Sequence, residues 1–129
     1  MTDNLNALLA AEFLNADQLF QNFEYSVISL LNSTKSIPEI EKPGVYVYHE
    51  NEKVWKIGKS NSNVKKRSLE HIRDNTDGKM ASLKDDKNMF INFIVLKNVK
   101  KIHWVYAIEV FLESHFRDTN NLEIHSARF

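Results

Sequence analysis

Apolar residues in the first quarter of the chain recur at three- and four-residue spacing. Leu19, Phe20, Phe23, Val27, Leu30 and Leu31 fall on one stripe, the mark of an amphipathic helix. Leu5, Leu8, Leu9 and Leu14 predict a shorter helix before it, with a break near Asn15-Ala16 and Asp17 capping the second helix. Residues 33 to 43, STKSIPEIEKP, hold both prolines and several turn formers, and read as a connector. From Gly44 the period drops to two. Val45 and Val47, then Val54 and Ile57, flank the polar run His49-Glu50-Asn51-Glu52, so a β-hairpin is expected. Val64 to Arg73 reads as a helix, Asn75 to Asn88 as an exposed polar loop, and Phe90 to Leu96 as a buried strand. A helix from about Trp104 to Arg117 follows. The order ββαβα predicts an α/β arrangement of the α+β type. It is a small three-stranded mixed sheet flanked by helices, with an N-terminal helical extension.

A chain of 129 residues, 43% of them apolar, can bury one core without disulfide or metal support. Residues 1–42 are read as the helical extension with its connector and residues 43–129 as one compact domain. The absence of cysteine excludes disulfides, zinc-thiolate sites and thiol nucleophiles together. No segment approaches the roughly 18 consecutive apolar residues of a membrane span, and no basic-then-apolar leader opens the chain. The expectation is a soluble cytoplasmic protein with no membrane partner.

Net charge is zero, but it is unevenly spread. Residues 1 to 41 carry six acids against Lys35, whereas residues 53 to 73 carry seven bases against Glu70. A basic run is ordinarily a solvated face. This one coincides with the densest group of candidate chemistry, which points to a polyanionic partner.

That group lies between Pro43 and His71. Tyr46 on the first strand of the hairpin and Lys56 on the second fall on neighbouring positions, where a nearby ammonium favours phenolate over a phenol whose ordinary pKa is about 10. Strand packing for Tyr46 and a surface role for Lys56 are the plainer alternative. Arg67 and His71, four apart, share one helix face. Arginine suits two phosphoryl oxygens because its guanidinium is always charged and forked. Lys59, Lys65, Lys66 and Arg73 are candidate phosphate contacts around them.

The triplet Gly44-Val45-Tyr46, the second triplet Lys56-Ile57-Gly58, Arg67 nine residues after Gly58 and His71 one turn later occur in an order that resembles the GIY-YIG nuclease family. The likeness runs from Gly44 to Asn121. It departs at Val45, in place of isoleucine, and at Lys56, in place of the second tyrosine, a variant found in the family. The resemblance implies a metal-dependent DNA endonuclease with catalytic Tyr46, Lys56, Arg67, His71 and Glu109, in which water attacks phosphorus in line. It implies that Glu109, on the helix AIEVFLESHF, holds one Mg²⁺ (or Mn²⁺), and that Asn121 contacts substrate. Glu113, one turn on, competes for the metal role. Two other readings stand beside it. One is a catalytically silent nucleic-acid-binding module of the same fold; the other is a scaffold in which the N-terminal stripe forms a homodimer.

Overall fold

The computed structural model describes residues 1–73 and 80–125. Residues 75–79 of the expected polar loop lie outside the described residues. Four strands, β1 (Phe20–Ser26), β2 (Gly44–Glu50), β3 (Lys53–Ser60) and β4 (Met89–Leu96), form one sheet in the order β1-β4-β2-β3. The helices are α1 (Thr2–Glu12), α2 (Ala16–Leu19), α3 (Val27–Asn32), α4 (Val64–Arg73) and α5 (His103–Asp118).

The α+β class holds, but the sheet corrects two expectations. It has four strands rather than three, and every pairing between them is antiparallel rather than mixed. The extra strand comes from the centre of the expected second helix. Phe20 and Phe23 are three apart, which suits a helix, yet the aromatic-rich FQNFEYS equally suits a strand. The edge of β4 decides between them. It carries a row of backbone donors and acceptors that a helix at 20–26 would leave unpaired. As a strand, β1 pairs along its whole length, from Phe20 opposite Leu96 to Ser26 opposite Phe90.

The sheet carries a core on each face. On one, Val45, Val47, Ile57 and Ile94 meet Leu5 and Leu9 of α1 and Val105, Ile108 and Leu112 of α5. On the other, Tyr46, Tyr48, Ile91 and Phe93 meet Val27 and Leu30 of α3 and Val64, Leu69 and Ile72 of α4. The N-terminal stripe is thereby divided between the two faces. Leu19 and Phe20 pack into the first core, and Phe23, Val27 and Leu30 into the second, so the chain's own sheet covers it. Met80 and Leu83 are also buried, so the last part of the expected loop folds back onto the core as a short 3₁₀ turn. Among the described residues, no helix is long and apolar enough to cross a membrane.

Helix α1 is tied down by polar groups as well. Asn92, buried in the middle of β4, donates from Nδ2 to Thr2 Oγ1 (2.8 Å) and to Asn22 Oδ1 (2.9 Å). Its Oδ1 lies 2.6 Å from Nε2 of the buried His49. Glu24 Oε2 is 3.7 Å from the same nitrogen. Burial is the main cause holding the His49 pKa below the ordinary value, with Asn92 and Glu24 opposing it.

Candidate active site

The site is built around β3, an edge strand. Tyr46 stands opposite Gly58 and Tyr48 opposite Lys56, but the register then slips so that His49 faces Val54, and Trp55 is the extra residue of a bulge. The slip decides where Lys56 points. In the unshifted register Lys56 would stand opposite Val47, on the α5 side; the bulge moves it to the face of Tyr46 and Tyr48.

Gly58 makes room for Tyr46. A Cβ at position 58 would lie 2.2 Å from both Cζ and Oη of Tyr46, so only glycine lets the ring lie across the neighbouring strand. Tyr46 is 2% exposed, and its hydroxyl is 2.6 Å from Nδ1 of His71 on α4. Tyr48 packs edge-on against it, with ring centroids 5.6 Å apart. The two phenols differ in environment. Tyr48 donates to the Ser68 carbonyl at 2.8 Å, and burial, with the neighbouring Tyr46 adding to it, pushes its pKa far above the ordinary value. Tyr48 is thus a locked neutral donor, and Tyr46 is the phenol that faces the cleft.

Helix α4 starts where Asn63 Oδ1 accepts from the Lys66 amide (2.9 Å), a capping interaction. That start sets the phase that turns Arg67 and His71 toward β3. Tyr46, Lys56, Ile57, Gly58, Lys59, Arg67, His71 and Glu109 line one polar cleft of about 300 Å³. Side chains from both faces of β3 reach it because, beyond the bridge from Val54 to Leu122, no strand among the described residues pairs with its outer edge. Glu109 enters from α5 and is 2% exposed. Arg67, by contrast, keeps about half its side chain in solvent, with Nη1 3.9 Å from Glu70 Oε2. Such an exposed pair constrains it weakly.

All five expected catalytic residues and Lys59 therefore meet in one place. Other expected site residues do not. Lys65 Nζ donates to the Lys35 carbonyl at 3.3 Å, Lys66 is exposed, and Arg73 lines a separate depression with Ile28, Leu31 and Asn32. Asn121 is occupied elsewhere: Oδ1 accepts from Val54 N (3.2 Å) and Nδ2 donates to the Glu52 carbonyl (2.8 Å). It pins the chain after α5 to the hairpin turn. Glu113 is fully buried, with Oε1 3.8 Å from Arg117 Nη1, and does not line the cleft. Of the two competing glutamates, Glu109 is the one the cleft contains.

The donor set limits what the cleft can hold. Among the described residues, no three His, Cys, Asp or Glu side chains gather in a way that would cage a metal ion, and Glu109 is the single carboxylate lining the cleft. One carboxylate completed by waters and substrate phosphate oxygens is an ordinary mode for Mg²⁺, and unlike the imidazole and thiolate sets of zinc. The single carboxylate therefore fits a magnesium ion better than a zinc ion.

Comparisons with protein-family models, curated proteins and solved structures gave no match.

Spacing along the chain carried no sign of the Tyr46–His71 bond, which joins residues of two elements. Nor did it mark Tyr106 as a neighbour of the site. Tyr106 precedes Glu109 by one helical turn, and Lys59 Nζ lies 4.2 Å from its ring centroid. Only the packing of α5 against β3 brings those two together.

Proposed function

We propose that this chain is a metal-dependent DNA endonuclease of the GIY-YIG type, hydrolysing phosphodiester bonds by in-line attack of water. The observation that carries the reading is the convergence of Tyr46, Lys56, Arg67, His71 and Glu109 from β2, β3, α4 and α5 on one polar cleft. Ionisable side chains are normally kept out of interiors unless paired or used. Here a phenol, an ammonium, an imidazole and a carboxylate share a partly enclosed space.

Each residue has a task in the proposed reaction. Tyr46 takes the proton of the attacking water, and His71 Nδ1, already within 2.6 Å, holds the hydroxyl and exchanges its proton. Lys56, placed on the same face by the bulge, favours the phenolate form of Tyr46. Arg67, in solvent at the mouth, swings onto the non-bridging oxygens and forms its fork only when a phosphate is present. Glu109 is the protein ligand for Mg²⁺ or Mn²⁺. A metal ion bound there supplies charge neutralisation at the phosphoryl and leaving oxygens.

The test is nicking of supercoiled plasmid by the purified protein with and without Mg²⁺, beside a Glu109→Gln variant. Nicking is expected only with the ion, and the variant should lose about two orders of magnitude or more in rate while keeping its thermal midpoint and most DNA affinity. Nicking in the presence of a chelator would remove the metal from the mechanism. Undiminished nicking by Glu109→Gln would remove that residue.

A further inference from the structure

Tyr106 lies on the outer face of α5, where a large aromatic side chain has no core to fill, and it is 45% exposed. Two interactions nevertheless fix its orientation. Asn61 Nδ2, in the turn between β3 and α4, donates to its hydroxyl at 2.8 Å, and Lys59 Nζ sits over the ring 4.2 Å from the centroid. Lys59 also lines the catalytic cleft, and Tyr106 is one helical turn from Glu109. A flat, oriented ring whose one face is covered by a movable ammonium thus stands at the rim of the place where the phosphate would bind.

From this we infer that Tyr106 is a stacking subsite for an unpaired nucleobase next to the scissile phosphate, so the substrate class is DNA with single-stranded character at the cut, such as a free strand, flap or fork. The inference rests on the proposed nuclease reading and names the substrate of that same site. A base can lie on an aromatic ring only if its own face is open. In a paired duplex both faces are covered by neighbouring bases, and Tyr106 would meet only sugar and phosphate. In an unpaired strand, Lys59 swings off the ring onto the backbone phosphate, and the adjoining base takes its place on the ring face. The hydrogen bond from Asn61 means that little side-chain freedom is lost when the base arrives.

A role in tying α5 to the β3–α4 turn is the competing explanation, and the test separates the two. Anisotropy binding of a labelled single-stranded oligodeoxythymidylate and of a blunt duplex is measured without divalent ion on the full chain. The proteins are wild type, Tyr106→Phe, Tyr106→Leu and Tyr106→Trp, with thermal midpoints recorded for each. Loss of one stacked base should weaken single-strand binding by Tyr106→Leu about tenfold, with duplex binding changed by less than about twofold. Tyr106→Phe, which keeps the ring but loses the orienting Asn61 bond, should fall by less than about threefold, and Tyr106→Trp should bind the single strand at least as tightly. Equal losses on both DNAs, no loss on either, or a loss by Tyr106→Phe as large as by Tyr106→Leu would each overturn the stacking subsite. Cleavage of the plasmid and of the single-stranded and duplex oligonucleotides with Mg²⁺ is scored separately. Nicking by the parent, with an unselective binding loss in Tyr106→Leu, removes the subsite and leaves the nuclease; a selective binding loss without cleavage of any DNA removes the nuclease and leaves the subsite.

Discussion

Replacing Gly58 by alanine adds one methyl group at the position that holds the Tyr46 ring, and the structure gives the size of the effect. The new Cβ would lie 2.2 Å from Tyr46 Cζ and Oη, and since apolar atoms settle near about 3.5 Å apart, the ring end must retreat by about 1.3 Å. The ring is 2% exposed and packed against Tyr48 and His71, so its body has little room and the hydroxyl end, at the cleft, must do most of the moving. The hydroxyl would be drawn from its 2.6 Å approach to His71 Nδ1 toward or beyond hydrogen-bond range. Overpacking of this kind costs about 1–3 kcal/mol, a fall in thermal midpoint of about 4 °C for each kcal/mol in a domain of this size. If Tyr46 is the base, a displacement near an ångström should also cost about a hundredfold in cleavage rate. Gly58 does not have the left-handed backbone that favours glycine, so the penalty should come from the ring and not from the chain's dihedrals. Thermal melts of Gly58→Ala, Tyr46→Ala and the double variant, together with plasmid nicking, test this. The double variant should be more stable than the sum of the single losses predicts, because removing the ring removes the clash. Additive losses, or a Gly58→Ala protein as stable and active as the parent, would refute the argument.

Arg67→Lys should lower turnover more than affinity, by about ten- to a hundredfold, because a point charge cannot reproduce a forked interaction that tightens in the transition state; an effect on binding alone would make Arg67 a positioning group. Neutralising Lys65 and Lys66 together should make the plot of log affinity against log salt shallower by up to about two, one for each phosphate that is no longer neutralised. An unchanged slope would make that run a solvated face. Burial holds the His49 pKa below its ordinary 6.5, so the folded state binds this proton less readily than the unfolded chain. His49 therefore contributes its full stability above about pH 6.5, and the contribution drains away as pH falls from there toward the lower folded value. Urea midpoints at about pH 7.5 and about pH 5.5 should show this loss, and His49→Gln should shrink it; an equal pH dependence in the variant would assign the effect to other groups.

The hairpin from Gly44 to Ser60, helix α4 with Arg67 and His71 on one face, strand β4 and helix α5 were all legible along the chain. Each is fixed mainly by its own periodicity, turn residues and caps, which act over a few residues. The α+β class followed from their order. The segment FQNFEYS was not legible in this way, because its local pattern serves a helix and a strand alike. What decides it is the hydrogen-bonding edge of β4, far along the sequence, and pairing with that edge satisfies a whole row of backbone groups at once. The same distinction divides the candidate site. Residue types and spacing marked Tyr46, Lys56, Arg67, His71 and Glu109 as candidates, since the chemistry of a side chain is a local property. Their meeting in a cleft, the bulge at Trp55 that turns Lys56 to the face of Tyr46, and the Tyr46–His71 bond depend on register and packing between distant elements. So do the preference for Glu109 over the buried Glu113 and the use of Asn121 as a clasp on the hairpin turn. Such choices are made only when strands and helices compete for the same partners, and no stretch of the chain contains that competition by itself.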